Sequence, residues 1–269
     1  MIIDFHTHIF PERIAERTVA ALATSSRITA YSTGDESGLL DRMEEAGVTL
    51  AVNLPVLTRP EQFDSITRFA LALNEKYDTS GGILSFAGIH PKDPKLSEHL
   101  REIKRLGFKG IKIHPDYQDT FFDSEECISL LGLAKELDLI TVTHAGFDPA
   151  YEGQPIKCTP ERVLRALERI GGYPRLVLAH MGGNELFLES LELLAGKDVY
   201  IDTSFVLPAM GRELFIKFLE KHSEDRILFA TDSPWRSIRE EVERIRSFDI
   251  GKQPEDKIFS LNARSLLGI

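Results

Sequence analysis

At 269 residues and a formal net charge of −10, the chain lacks the excess of Lys and Arg by which nucleic-acid binders neutralise phosphates, so no nucleic-acid partner is expected. Apolar residues at 42% and charged residues at 28% exclude wholesale disorder and allow a sizeable core. Two cysteines (Cys127 and Cys158), no leader-like N-terminus and no apolar run near the roughly 18 residues of a membrane helix point to a soluble protein of the reducing cytoplasm.

The first strand candidate is IIDFHTH at 2–8, with an irregular stretch over 24–38 behind it. VTLAVNL at 48–54 is the second, and after Pro60 the apolar stripe Phe63, Ile66, Phe69, Ala70 and Leu73 predicts a helix. ILSFAGIH at 83–90 and KGIKIH at 109–114 follow; Asp123 with Glu126 three residues on resembles a capping box. LITVTH at 139–144 leads into an irregular stretch at 148–158. Thr159 then reads as an N-cap, Pro160 as the first helical residue, and Gly171 as the stop. RLVLAH at 175–180, VYIDTSF at 199–205 and RILFATD at 226–232 complete eight strand–helix units. An α/β fold of this kind closes most naturally into a (β/α)8 TIM barrel with a parallel sheet, one domain spanning 1–269. An open doubly wound sheet gives the same local pattern.

Six of the eight histidines end these strands: His6 and His8, His90, His114, His144 and His180, with Asp232 closing the eighth. In a barrel those ends share the rim that carries active sites. Along an alternating strand Asp4, His6 and His8 share one face and Ile3, Phe5 and Thr7 the other, so His6 and His8 can hold one cation side by side. Imidazole suits Zn, Fe, Ni or Mn, and several His with one carboxylate and an open position is the catalytic zinc pattern. A lone strand-end His is more often a hydrogen-bonded structural residue, and DFHTH alone divides evenly between the readings. The recurrence at strands five, six and eight favours a metal.

These residues resemble the amidohydrolase superfamily over nearly the whole chain. DFHTH is similar to its strand-one Asp-x-His-x-His signature, THAG to the strand-five His, AHMGG to the strand-six His and ATDSPW to the strand-eight Asp. GIKIHP, THAG, AHMGG and YIDTSF are most similar to the amidohydrolase-2 branch, which includes aminocarboxymuconate-semialdehyde decarboxylase and many uncharacterised hydrolases. The resemblance implies a divalent ion, zinc first, on His6, His8, His144 and Asp232. It makes Asp232 the general base, and His180 either a ligand of a second ion or the residue that polarises substrate and shuttles a proton. Lys112 matches the lysine that forms a bridging carbamate in binuclear members. That role needs a neutral amine and two ions, so a rim cation for an anionic substrate, or a structural ion-pair partner, is preferred.

Substrate contacts are expected from Lys112 and His114, which share an inward face, and from Tyr117, Tyr151, Trp235 and Arg236, the last suited to a carboxylate or phosphate. Plainer readings stand beside these: Trp235 packing at a helix start, Tyr117 fastening its loop. Asp202 and Ser204 can reach the rim, or Asp202 orients a ligand from behind. Gly182 and Gly183 either admit a substrate oxygen to backbone N–H groups or make a turn. His99 and His222, on helical patterns, are expected at the surface.

The first expectation for function is a metal-dependent hydrolase in which activated water attacks an amide, ester or lactone carbonyl of a small molecule. The alternative is a lyase, decarboxylase or hydratase, acting on a small carboxylated substrate. Lower stands a TatD-like nuclease, suggested by GIHP at 88–91, because those enzymes carry a strand-four Glu where this chain has Lys112. The polymerase-and-histidinol-phosphatase group closes with Asp-x-His, which TDSPW lacks. A non-enzymatic binder on the barrel ranks last. No membrane is expected as partner, and a homo-oligomer is left open.

Overall fold

The computed structural model describes residues 1–77 and 79–269. Its strands are β1 (Ile3–Thr7), β2 (Leu50–Asn53), β3 (Gly82–Ser85), β4 (Ala87–Gly88), β5 (Gly110–Ile113), β6 (Ile140–Thr143), β7 (Leu176–Leu178), β8 (Tyr200–Asp202) and β9 (Ile227–Leu228). All pair in parallel, as β1-β2-β3 and as β4 through β9 in chain order. Only Phe86 separates β3 from β4, so the two are one barrel strand with a break. Closure comes from Phe5 N–H donating to Phe229 O at 2.9 Å, Asp232 N–H to His6 O at 2.8 Å and His8 N–H to Ser233 O at 2.6 Å. The (β/α)8 barrel expected from the sequence is the observed fold.

The helices are α1 (Glu12–Ser26), α2 (Glu36–Ala46), α3 (Phe63–Lys76), α4 (Leu96–Arg105), α5 (Glu125–Glu136), α6 (Pro160–Ile170), α7 (Phe187–Leu193), α8 (Leu207–His222), α9 (Ile238–Ser247), α10 (Lys252–Asp256) and α11 (Asn262–Leu267). Their termini follow sequence chemistry. Thr159 caps α6 by accepting from Arg162 N–H, Pro160 opens it, and Gly171 ends it at φ 65°. At α5 the cap is Ser124, accepting from Cys127 N–H, whereas Asp123 binds Arg162 and Arg165; the capping box read at Asp123 is corrected, because two guanidiniums hold its carboxylate. None of the described helices is long and apolar enough to cross a membrane.

Two apolar layers hold the barrel. Alternate residues of the strands, among them Val52, Phe86, Val142 and Leu228, fill the interior with Ala263, Leu266 and Leu267 of α11. Arg175, just before β7, donates to Leu266 O at 3.3 Å, so α11 plugs the end opposite the strand C-termini. The other faces of the strands, such as Ile111, Leu176 and Ile201, pack under the helices.

Strict alternation in the first strand is corrected. Ile3 and Phe5 join the interior cluster, the β1–β2 ladder shifts register between Asp4 and Thr7, and Asp4 accepts from Thr231 Oγ at 2.6 Å and Thr231 N–H at 3.0 Å. The irregularity re-aims His6 and His8 inward after Phe5, a common use of a bulge beside a site.

His222 is not a surface residue, and His99 is half-buried. His99 stacks on Phe63 at 3.8 Å and bonds Asp93 at 2.7 Å. His222 is 2% exposed; its Nδ1 accepts from Gly196 N–H at 3.2 Å, and burial pushes its pKa down from 6.5 to about 4. On acidification the unfolded chain binds this proton first. The contribution of His222 to stability is therefore complete above pH 6.5 and lost as pH falls to about 4, by about 3 kcal/mol. His222→Gln is expected to flatten the acid limb of stability over that window in urea unfolding; an unchanged limb would count against it.

Candidate active site

The rim places His6, His8 and Asp232 around one point. His6 Nε2 lies 3.1 Å from His8 Nε2 and 3.4 Å from Asp232 Oδ1, and His8 Nε2 lies 3.1 Å from that oxygen. His8 Nδ1 faces Leu54 O at 2.8 Å. A carbonyl only accepts, so the proton sits on Nδ1 and Nε2 carries a lone pair. His6 Nδ1 faces Asp202 Oδ2 at 3.0 Å, which fixes the same tautomer. Burial, then the charge of Lys112, holds the His6 pKa well below 6.5. Burial opposes ionisation of Asp232, but the neighbouring His6 and His8 bring its pKa down to about 2. Two imidazole lone pairs and a carboxylate oxygen thus face one another with no proton between them. A divalent cation satisfies that arrangement, and the outer hydrogen bonds of both rings are those of metal-bound His.

Asp202 is the hub behind the site. Besides His6 it accepts at Oδ1 from His180 N–H at 3.0 Å, Ser204 N–H at 3.0 Å and Ser204 Oγ at 2.5 Å. Of its two readings, orientation from behind is the one observed. Asp202→Ala is expected to weaken metal affinity about 10- to 100-fold while keeping every ligand, read by competition with a chromogenic chelator; wild-type affinity would remove Asp202 from this role.

Lys112, 1% exposed, places Nζ 3.0 Å from His6 Nε2, and burial lowers its pKa to about 8. His180 follows β7 with φ 59°, and Met181 with φ 55°; these strained left-handed residues swing the ring over the rim. Its Nδ1 faces Ser204 O at 3.0 Å and its Nε2 faces His144 Nδ1 at 2.9 Å. His144 is not in the group of three. Its Nε2 lies 4.0 Å from Asp116 Oδ2, and neither atom has a hydrogen-bond partner among the described residues.

His114, His144 and Asp148 form a second buried group of ligand-type atoms. The His114 and His144 rings stack at 4.2 Å and 13°, so no ion can lie in both ring planes; we read this group as a hydrogen-bonding wall. His114 Nε2 lies 3.4 Å from Asp148 Oδ2.

A cavity of about 490 Å³ opens over these groups, and His6, His8, Lys112, His114, His144, His180, Asp232 and Trp235 all line it. Tyr117 lines it too, whereas Tyr151 stands behind, its ring 5.4 Å from that of Tyr117. Arg236 is also set back: its Nε donates to Phe205 O at 3.0 Å and its guanidinium covers the Phe205 ring at 4.3 Å. Phe205, Asp148, Asn184 and α1 are wall elements that sequence reading missed; Asp148 heads the irregular stretch already marked.

Gly182 and Gly183 make a turn. Their N–H groups donate to Ala179 O and His180 O, at 3.0 and 3.1 Å, and are unavailable to a substrate. Gly146, at φ 89°, is needed for close approach, since a Cβ there would meet Asn184 N at 2.1 Å. That contact ties the loops carrying His144 and His180 together.

A family model described as amidohydrolase matches residues 3–269, and the chain belongs to that family. No curated protein matches it in sequence. Among solved structures it is similar to 2,6-dihydroxybenzoate decarboxylase from Rhizobium, at 20% identity and a TM-score of 0.74 over 99% of this chain and 98% of that one. It is similar to 5-carboxyvanillate decarboxylase from Novosphingobium aromaticivorans, crystallised with manganese and 4-hydroxy-3-methoxy-5-nitrobenzoic acid, at 18% identity, TM-score 0.74, and 100% and 96% coverage. A TIM-barrel protein from Bordetella bronchiseptica is similar at 17% identity, TM-score 0.76, and 99% and 98% coverage.

These relatives overturn the first expectation for function. The named enzymes among them are decarboxylases, so hydrolysis of a carbonyl substrate is withdrawn. Zinc is likewise unsupported: the ion in the relative is manganese, and this chain's His6, His8 and Asp232 fit a divalent cation without specifying it.

Proposed function

We propose that the protein is a metal-dependent carboxy-lyase that releases CO2 from a small, planar carboxylated substrate. The observation that carries this reading is the three convergent lone-pair atoms of His6, His8 and Asp232 with the Lys112 ammonium beside them. The activities and ligands of the similar barrels support it. A divalent ion on that trio, with manganese the first to test, supplies a Lewis acid that anchors the substrate's anionic group.

The residues of the chain do the rest. Lys112 pairs with the substrate carboxylate from the barrel floor. The rings and apolar side chains of the wall hold the substrate and exclude water. As the carbon–CO2 bond breaks, its electron pair stays on the substrate carbon, which must take a proton. His180, anchored through Nδ1 to Ser204 O, takes up a proton at Nε2 and delivers it there. Asp232, held ionised, serves as ligand.

The test is a screen of hydroxybenzoates and related ring carboxylates with manganese-loaded protein, following 13CO2 from carboxyl-labelled substrate and, in parallel, 18O from labelled water. Labelled CO2 with no oxygen entering the organic product is the expected result. Oxygen incorporation without CO2 would sink the proposal.

A further inference from the structure

The cavity has two unlike halves. Its floor carries Lys112, the histidines and Asp232; away from them it is lined mainly by apolar side chains, Ile14 and Leu22 of α1, Ile28 and Val56, and Ile66 and Phe69 of α3, with Arg13, Thr58, Gln62 and Ser65 among them. Along α1, Ile14, Thr18 and Leu22 are four residues apart and face the cavity as one stripe. Ala15 and Val19 are buried on the neighbouring face, while Ser26, also buried, continues the cavity stripe. So α1 packs on the protein by one face and roofs the cavity with another.

Ile14, Leu22, Ile28 and Val56 are half-buried and belong to neither apolar core cluster. What these side chains face is the cavity. Its volume of about 490 Å³ falls in the range of sites that enclose a whole ligand, and one continuous space joins the charged floor to the apolar roof.

We propose that the apolar half is a tail subsite, and that the natural ligand is an amphiphilic carboxylate: a carboxylate head at the Lys112 end and a hydrocarbon portion, alkyl chain or second ring, under α1. This rests on the carboxy-lyase reading for the head and adds the tail. Ile14 and Leu22 are then specificity-determining residues, acting by removing methylene groups from water.

The test is isothermal titration of manganese-loaded protein with straight-chain alkanoates from butanoate to decanoate, which carry head and tail without the reactive ring. Affinity is expected to rise about three- to fourfold per methylene until the half is filled. Leu22→Ser and Ile14→Ser are expected to flatten that rise while butanoate binding, the check on folding and head recognition, stays as in wild type; Leu22→Met restores it. Affinity independent of chain length, or a rise untouched by both serine variants, overturns the tail subsite. Failure of the carboxy-lyase reading would show as absence of labelled CO2, whatever the alkanoates do.

Discussion

His6→Ala is expected to strip the protein of its divalent ion and abolish turnover while leaving the barrel folded. His6 is the shared neighbour of the whole floor: its Nε2 lies within 3.4 Å of His8 Nε2, Asp232 Oδ1 and Lys112 Nζ, and its Nδ1 anchors to Asp202. Alanine leaves a two-ligand site and removes one hydrogen bond from a buried carboxylate, at a stability cost of about 1–3 kcal/mol. Elemental analysis of protein purified without chelator checks this. Wild type is expected to retain about one equivalent and the variant less than about a tenth, since binding depends on the full ligand set. Equal metal in both would remove the trio from the site. Two equivalents in wild type would instead bring back the Lys112 carbamate, with His144 Nδ1 and His180 Nε2, 2.9 Å apart, as donors to the second ion.

Most of the frame was legible because it is local. Each strand is a short apolar run with its own stop, and THAG, AHMGG and ATDSPW each follow one, so His144, His180 and Asp232 fall at strand ends by sequence order alone. What escaped was decided by geometry that spacing does not encode. The register shift in β1 overrides simple alternation. The positive φ of His180 and Met181 sets where that ring points. Arg236 follows the site aspartate closely, yet Phe205, distant in sequence, takes its guanidinium. The roof was missed for a related reason: Ile14 and Leu22 look like an ordinary helix stripe, and only the assembled barrel leaves a cavity opposite them. The chemistry was ranked wrongly because a metal on two His and an Asp serves hydrolysis and decarboxylation alike.

His180→Asn is expected to lower kcat by about 10²- to 10⁴-fold, the usual contribution of a positioned acid–base group, with metal content and KM near wild type. On the proposed mechanism the ring carries the proton, and it stands outside the group formed by His6, His8 and Asp232. Its Nδ1 is fixed by Ser204 O and Ser204 Oγ, both at 3.0 Å, its backbone N–H by Asp202, and its φ of 59° is a cost of about 1–3 kcal/mol that the surroundings sustain. A residue so constrained keeps Nε2 at one place over the cavity floor. Asparagine preserves a donor towards Ser204 and adopts positive φ readily, so the fold and the ion should survive while the proton carrier is lost. The informative readout is isotopic. In D2O, wild type is expected to deliver deuterium to the carbon that loses CO2 and to catalyse slow exchange of that position in the product, since the protonation step is reversible. His180→Asn should lose both together. A variant with full metal, reduced kcat and undiminished product exchange would show that His180 positions the substrate and that another group carries the proton.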